Sequence, residues 1–228
     1  MLSKNIFYTT VVMLWIAHAG SAAGPVAAAT NDITLRWRAE QGEAVAQNNL
    51  GVCYLSGTGV LEDKAEAIRW FRKAADQGDA KAQLNLGACY LTGAGVAKDA
   101  KEAAQWFRKA AEQGDAKAQF NLGVCYRKGD GMPADPTKAA LWFRKAAEQG
   151  VTPAQFNLGM CYLAGSGVPE DFTEAYTWFH LAGLAGNEQA AAARAELAKT
   201  MTPAQIAEAQ ERAQKRLQDQ ARSRPAAK

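Results

Sequence analysis

Four cysteines recur at a fixed distance along the chain, at residues 53, 89, 125 and 161, each 36 residues after the last. The surrounding sequence repeats with the same period and without an insertion. Residues 44–79, 80–115, 116–151 and 152–187 therefore align as four copies of one unit. A period of this length is typical of solenoid proteins, in which no unit buries its apolar face alone and neighbouring units stack to form a continuous core.

Each copy predicts a first helix, which in the first copy covers Ala44 to Ser56. Its apolar residues Ala46, Leu50, Cys53 and Tyr54 have helical spacing. A Gly-x-Gly turn follows and ends the helix, because glycine adopts the left-handed conformation of a helix C-terminus without strain. The glycine pairs are Gly57/Gly59, Gly93/Gly95, Gly129/Gly131 and Gly165/Gly167. These turns join two helices and follow no strand, so they lack the context of a phosphate-binding loop.

A second helix follows in each copy and begins after an aspartate that offers its carboxylate to free backbone N–H groups. These aspartates are Asp63, Asp99, Asp135 and Asp171, and we expect Glu66, Glu102 and Glu174 to complete capping boxes. Asp79, Asp115 and Thr152 are expected to cap the first helix of the next copy. The second helix carries a Trp-Phe pair at its core phase, and Trp37 is assigned to the same position ahead of the first copy.

The ends of the chain differ from the four copies. Residues 1–23 have the positive start, apolar run and small residues of a signal peptide, with an alternative end at 29. This pattern predicts an exported protein, periplasmic or secreted, with no stable membrane span after cleavage. We expect an N-terminal capping helix at 31–43, C-terminal capping helices at 188–221 and a disordered tail at 222–228. Leu181 and Leu184, beside His180, are expected to form an apolar surface that receives the C-terminal helices.

The four copies resemble the Sel1-like repeat family, which is related to tetratricopeptide repeat proteins. The resemblance rests on the pattern A-x-x-N-L-G-x-x-Y of the first helix, on G-x-G-V, on the capping aspartate and on W-F-x-K-A-A of the second helix. It implies an all-α fold, a right-handed α-solenoid of four 36-residue helix-turn-helix repeats with helical caps. It also implies a non-enzymatic scaffold.

Composition argues against several kinds of site. The chain has 26 Lys and Arg against 23 Asp and Glu, and seven of the basic residues lie from Lys199 onward. The part of the chain before Lys199 therefore lacks the basic surface that nucleic-acid binding requires. Each copy holds one cysteine, which prevents a disulfide within a copy, and stacked helices are too far apart for bridges between copies. The cysteines are therefore interpreted as small buried apolar residues, with Cys53 and Cys161 as the two to check for exposure. No metal site and no cofactor is predicted.

A candidate peptide-binding groove lies on the face of the first helices that the core residues do not use. An asparagine precedes the core leucine in each copy, and apolar side chains lie beside this row. Stacked repeats align such faces into a concave groove, where amides can bond a peptide backbone and basic groups can bind acidic side chains. The candidate residues are Asn49, Asn85, Asn121, Asn157, Leu84, Phe120, Phe156, Lys81, Lys117 and Arg127. Two structural alternatives remain open: the asparagines tie neighbouring repeats together, and the phenylalanines only pack between repeats.

The sequence thus favours an exported scaffold that binds a protein or peptide in this groove. One alternative is a β-lactamase-like enzyme or cell-wall hydrolase, as described for some cysteine-rich relatives, although no Ser-x-x-Lys pattern follows the N-terminal segment. A second alternative is a structural spacer without a groove ligand. The basic C-terminal tail could also make weak contact with an anionic envelope surface.

Overall fold

The computed structural model of the chain describes residues 25–223, and every regular element in that range is an α-helix. Each predicted repeat contains one pair of helices, and a helix or a helix pair flanks the four repeats at each end. The helices are α1 Pro25–Glu40, α2 Ala44–Ser56, α3 Lys64–Asp76, α4 Ala80–Thr92, α5 Ala100–Glu112, α6 Ala116–Lys128, α7 Pro136–Glu148, α8 Thr152–Ala164, α9 Phe172–Leu184, α10 Glu188–Ala198 and α11 Pro203–Ser223. We call α2, α4, α6 and α8 the A helices, and α3, α5, α7 and α9 the B helices.

The helices stack in chain order. Each A helix packs on the B helix of its own repeat, and α3, α5 and α7 also pack on the A helices that follow them. The core leucines of the A helices and the phenylalanines of the B helices are fully buried, as Leu86 and Phe107 illustrate. This arrangement confirms the predicted all-α solenoid of four 36-residue repeats with helical caps.

The glycine after each core leucine allows an A helix to approach its B helix closely. A Cβ atom built on Gly87 would lie 2.8 Å from the ring of Phe107 and 3.2 Å from the carbonyl oxygen of Ala103. Such a contact is shorter than side chains tolerate, so only glycine fits between the two helices. The equivalent glycines of the other repeats, Gly51, Gly123 and Gly159, face their phenylalanines in the same way.

The two glycines of the Gly-x-Gly turn have different roles, as the second repeat shows. Gly93 ends α4 in the left-handed conformation with φ +80, and its N–H bonds to the carbonyl oxygen of Cys89. Gly95 also has a positive φ of +73, and a Cβ atom there would lie 2.2 Å from the carbonyl oxygen of Lys64. Because Lys64 belongs to the preceding repeat, the second glycine allows two repeats to pack against each other.

The aspartates that precede the B helices are caps, as predicted. Asp99 Oδ1 accepts hydrogen bonds from the N–H groups of Lys101 and Glu102, at 2.9 and 3.0 Å. A complete capping box would also have the Glu102 side chain accept a hydrogen bond from the Asp99 N–H. This part of the prediction is wrong, because the Asp99 N–H donates to the carbonyl oxygen of Tyr90, at 2.9 Å. This bond from the aspartate N–H to the tyrosine carbonyl recurs in all four repeats. It closes the loop between the A and B helices.

The expected cap at Thr152 is also wrong. Val151 occupies the N-cap position of α8, and its side chain makes no capping hydrogen bond. The first turn of α8 instead contains Pro153, which lacks an N–H group that would need a partner. Asp79 and Asp115 cap α4 and α6 as predicted.

The N-terminal cap, α1, begins before residue 31, and the predicted signal peptide at 1–23 lies outside the described residues. Trp37 is wrongly assigned to the aromatic core position, since its side chain is 60% exposed. Counting back one period from Phe71 gives Leu35, which packs against the buried cluster that contains Leu50. The predicted phase of this helix was therefore off by two residues.

At the C-terminal end, α10 packs on α9 and α11 also returns to α9. Leu181 is buried in one cluster with Ala213 of α11, which confirms part of the predicted receiving surface, but Leu184 is 61% exposed. The last helix, α11, includes Arg222 and Ser223, and the rest of the predicted tail lies outside the described residues. None of the described helices is long and apolar enough to cross a membrane.

Candidate functional site

The candidate site is the side of the A helices that carries the asparagine row, which we call the A-helix face. In α4 it consists of Lys81, Leu84, Asn85 and Ala88, at the three- and four-residue spacing that places side chains on one helix face. Lys81 is exposed, and the other three residues are half-buried. The buried positions of the helix are Ala82, Gln83, Leu86, Gly87 and Cys89.

The asparagine row on this face is not uniform. Asn85 Nδ2 donates a hydrogen bond of 2.9 Å to Asn48 Oδ1 in the preceding repeat. This partner exists only for Asn85, because the residues equivalent to Asn48 are apolar in the other repeats. Those residues are Leu84, Phe120 and Phe156. For Asn85 the geometry matches the structural alternative, a tie between neighbouring repeats.

Asn157 forms a different link between repeats. Its Nδ2 donates to the carbonyl oxygen of Pro153 at 2.7 Å, and its Oδ1 accepts a hydrogen bond from Arg127 Nη1 in the preceding repeat. The Arg127 guanidinium carbon lies 5.8 Å from the centre of the Phe143 ring. Asn157 therefore holds Arg127 at the junction of α6, α7 and α8.

Asn49 and Asn121 differ from the other two. Within residues 25–223 neither side-chain amide makes a hydrogen bond. Asn49 is exposed on the first repeat, whereas Asn121 is half-buried in the centre of the A-helix face. The Asn121 amide keeps one acceptor and two donors for a ligand.

The two predicted groove phenylalanines pack within their own repeats. The ring of Phe120 lies 5.9 Å from that of Phe143, and the ring of Phe156 lies 5.8 Å from that of Phe179. Both outer rings are half-buried, so one side contacts the B helix and the other side remains accessible. The expected alternative, packing only between repeats, does not describe these contacts.

Charge on the A-helix face has one sign. Lys81, Lys117, Arg127 and Lys128 are exposed, and none of the four A helices contains an aspartate or a glutamate. The structure therefore places the predicted basic residues on or beside the face that carries the asparagines. Phe120 and Arg127 both lie near the ring of Phe143, and Arg127 also donates a hydrogen bond to Asn157.

A row of buried glutamines connects the repeats and was missed by the sequence analysis. Gln83, only 4% exposed, donates from Nε2 to the carbonyl oxygen of Ala75 at the end of the preceding B helix, at 3.1 Å. Its Oε1 accepts a hydrogen bond of 2.8 Å from Gln113. The signal was present, because a glutamine recurs at this phase of every copy. The members of the row are Gln47, Gln83, Gln119 and Gln155.

A second set of hydrogen bonds that recurs from repeat to repeat joins arginines of the B helices to tyrosines of the next A helices. Arg72 Nη2 donates to Tyr90 Oη at 2.6 Å, and Arg144 donates to Tyr162 at 2.5 Å. His180 occupies the arginine position in the last repeat, where its Nδ1 lies 2.7 Å from Arg194 Nη1 of α10. Burial, together with the Arg194 charge, lowers the pKa of His180. Both rows fix the stacking of repeats.

All four cysteines lie in the described part of the chain and none of them forms a disulfide bond; three of the four are buried. Burial raises the pKa of Cys89 and Cys161 to about 11, and that of Cys125 to about 12. These thiols are protonated at neutral pH and are poor nucleophiles. Cys53 is half-buried, and Cys161 is not exposed. In the described part of the chain no three His, Cys, Asp or Glu side chains converge as a metal site would require.

The comparisons with known proteins agree with this architecture. A family model described as Sel1 repeat matches residues 44–79, 80–115, 116–151 and 152–187. The structure is similar to a crystal structure of a Sel1 repeat protein from Oxalobacter formigenes, with a TM-score of 0.70 and 35% sequence identity, over 75% of this chain and 50% of that one.

A second similar structure is c5321, described as a protective antigen present in uropathogenic Escherichia coli strains and displaying an SLR fold. It has a TM-score of 0.57 and 32% identity, over 88% of this chain and 53% of that one. The chain therefore spans about half the length of both proteins. A search of curated proteins gave no match. The four matched repeats, which cover most of the chain, show that it belongs to the Sel1 repeat family.

Proposed function

We propose that this chain is an exported, non-enzymatic scaffold that binds a protein or peptide on its A-helix face. Sel1 repeat proteins are generally protein-interaction scaffolds, and they are typically non-enzymatic adaptors.

The main support for the proposal is the environment of the Asn121 side chain. Its half-buried amide makes no hydrogen bond within residues 25–223, and it lies on a helix face with the half-buried side chains of Phe120 and Val124. An amide can accept from a peptide N–H and donate to a peptide C=O, while the apolar neighbours supply contact area. Asn85, by contrast, uses its amide for Asn48 and serves the stacking of repeats.

A crosslinking pull-down from cell-envelope extract tests the surface. The parent chain is compared with the double variant Asn121→Ala/Phe120→Ala. The matched control is Gln105→Ala/Leu141→Ala, which removes an amide and an apolar side chain from exposed positions of the B helices. Thermal unfolding of all three proteins first checks that they fold alike.

We expect one partner to be captured by the parent and the control and to be lost by the Asn121→Ala/Phe120→Ala variant. Capture of the same proteins by all three chains would contradict binding at the A-helix face. Absence of any specific partner would favour a structural spacer. Incubation with a chromogenic lactam should show no turnover, and turnover would favour the hydrolase alternative.

Export has its own test, since the proposal for it rests on residues 1–23 alone. We expect the protein recovered from the envelope fraction to begin at Gly24, or at Thr30 if the alternative end is used. N-terminal sequencing distinguishes the two. An intact N-terminus and recovery from the cytosol would contradict export.

A further inference from the structure

We propose that a cavity near the C-terminal end of the solenoid binds an α-amino acid through both its carboxylate and its ammonium group. The cavity has a volume of about 370 Å³ and is lined by residues of α7, α8, α9 and α11 and of the loop between α8 and α9. Ligand pockets measure about 300–1,000 Å³, so this volume suits a small molecule. The site shares no residue with the A-helix face and does not depend on the proposed function.

The last helix distinguishes this cavity from the equivalent places in the other repeats. The bond from Arg144 to the Tyr162 hydroxyl belongs to the recurring set, in which Arg108 bonds to Tyr126 at 3.2 Å. At the fourth repeat α11 also packs on α9, and it contributes two arginines to the cavity. The site therefore combines a recurring arginine–tyrosine pair with charged groups that come from α11.

Two guanidinium groups of the cavity have N–H groups left for a carboxylate. Arg144 uses Nη2 for the Tyr162 hydroxyl, and Arg216 uses Nη2 for the two carboxylate oxygens of Glu174. Neither arginine makes a further hydrogen bond within residues 25–223, and a guanidinium has five N–H donors. Arg216 also lies over the Trp178 ring, with its guanidinium carbon 4.4 Å from the ring centre. Because these contacts hold both groups in place, they lose less conformational entropy when they bind a carboxylate.

Carboxylates that line the same cavity can accept from an ammonium group. Glu148 and Glu170 are exposed, and their carboxylates form no ion pair or hydrogen bond in the described part of the chain. Asp171 uses Oδ1 for the backbone N–H of Glu174, at 3.0 Å, and its second oxygen accepts no hydrogen bond there. The Glu174 carboxylate, in contrast, already binds both arginines of α11. An ammonium group has three donors, which these carboxylate oxygens can accept.

Three arginines and four carboxylates line the cavity, so it suits neither a simple anion nor a simple cation. Burial raises the pKa of the Tyr162 phenol, and the cations Arg144 and Arg216 act against this rise. The carboxylates of Glu174 and Asp171 add to it, so charges of both signs lie close to the phenol. Within residues 25–223 no three acidic, His or Cys side chains converge as a metal ion requires. A zwitterion can pair with both kinds of charge at once, and an α-amino acid is a zwitterion of suitable size.

Isothermal titration calorimetry of the full chain tests the inference, with each of the common amino acids as a probe. Every amino acid that binds is compared with two derivatives. The N-acetylated form lacks the ammonium group, and the amide lacks the carboxylate. The variant Arg144→Gln is compared with Arg108→Gln, which removes the equivalent bond to tyrosine in the preceding repeat.

A second pair of variants tests the carboxylates. Glu148→Gln/Glu170→Gln removes two carboxylates that make no bond in the described chain, so we expect it to fold like the parent. Its control, Glu62→Gln/Glu112→Gln, makes the same change at the equivalent exposed positions of the first and second repeats. Thermal unfolding checks that all four variants are folded.

We expect at least one amino acid to bind, and both of its derivatives to bind at least about tenfold more weakly, because each lacks one of the two charges. Arg144→Gln and Glu148→Gln/Glu170→Gln should also weaken binding at least about tenfold, and both controls should stay within about twofold. Equal binding of the N-acetylated form or of the amide would overturn the zwitterion as ligand. Binding that is indifferent to the cavity variants would overturn the site, and absence of binding by every amino acid would overturn the inference as a whole.

Discussion

Gln113 donates a hydrogen bond of 2.8 Å from its Nε2 to Oε1 of Gln83, which lies thirty residues earlier in the chain. Gln77 and Gln149 make the equivalent bonds to Gln47 and Gln119. Gln155 has no such donor, because Ala185 occupies the corresponding position in the last repeat. Its Oε1 is buried and has no hydrogen-bond partner in the described part of the chain.

Substitution of Ala185 by glutamine should therefore stabilise the protein. The backbone at Ala185 has φ −83 and ψ 12, close to the φ −84 and ψ 3 of Gln149, so a glutamine can adopt the same conformation. A hydrogen bond to a buried, unsatisfied acceptor contributes about 1 kcal/mol. Urea unfolding at neutral pH measures the gain.

Two controls accompany this variant. Gln113→Ala should lower the free energy of unfolding by about 1 to 2 kcal/mol, because it leaves the buried Oε1 of Gln83 without its donor. Ala185→Glu has similar size but no amide N–H to donate, so it should not stabilise. Equal stability of Ala185→Gln and Ala185→Glu would contradict the role assigned to the bond.

The period of the sequence was sufficient to predict the helices, most caps and the buried phenylalanines. These features depend on residues within one copy, and four copies in phase make the pattern unambiguous. Some errors, such as the cap assigned to Thr152, are local, but others arose where a contact joins distant segments. Glu174 has the spacing of a capping box, yet its carboxylate binds Arg212 and Arg216 of α11. These arginines lie about forty residues further on, and no local pattern connects them to Glu174.

In the candidate site, too, the local features could be predicted and the contacts between repeats could not. The sequence predicts that the asparagines share one face, because helical spacing determines this. The hydrogen-bond partner of an asparagine amide depends on the residue in the preceding repeat. Asn48 accepts a hydrogen bond from Asn85, whereas the equivalent residue before Asn121 is Leu84, whose side chain has no polar group. The distinction between a structural and an available asparagine therefore needed side-chain positions across the repeat boundary.

Substitution of Gly87 by alanine should destabilise the protein, because the new Cβ would meet the Phe107 ring at 2.8 Å. Overpacking of this kind costs about 1 to 3 kcal/mol. The cost should fall when Phe107→Leu is combined with Gly87→Ala, since the ring that causes the clash is then absent. Chemical denaturation of the single and double variants gives the coupling energy.

Gly114→Ala is the matched control for this cycle. Gly114 has φ +95 and open space around the position of a Cβ, so alanine there is disfavoured by the backbone conformation alone. Its effect should add to that of Phe107→Leu. If the effects of Gly87→Ala and Phe107→Leu are also additive, a clash between the new Cβ and the Phe107 ring does not explain the destabilisation.

Glu174 should be the main electrostatic attachment of α11. Its side chain is 13% exposed, and it accepts hydrogen bonds from Arg212 at 2.8 Å, from Arg216 at 3.0 Å and from the indole of Trp178 at 3.1 Å. Glu174→Ala should lower stability by about 1 to 2 kcal/mol, since the partners remain partly solvated. Amide hydrogen exchange should increase along α11 and much less in α2 to α6.

Glu208→Ala is the comparison for this variant. Glu208 pairs with the same Arg212 but is more than half exposed, so its loss should change stability and exchange in α11 very little. If both variants accelerate exchange in α11 equally, the attachment does not depend on Glu174.

The buried thiols should make stability fall at alkaline pH. Cys89, Cys125 and Cys161 have pKa values of about 11, 12 and 11 in the folded chain, above the ordinary value of 9.0. The folded state therefore retains these protons where the unfolded state loses them, and the stabilisation is complete below pH ~9 and is lost as the pH rises through the folded pKa values. At pH ~10 the loss should be about 1 kcal/mol per thiol. Under reducing conditions, urea unfolding between neutral pH and pH ~10 should show a steeper decline for the parent than for Cys89→Ala/Cys125→Ala/Cys161→Ala, whereas parallel declines would show that other groups cause the pH dependence.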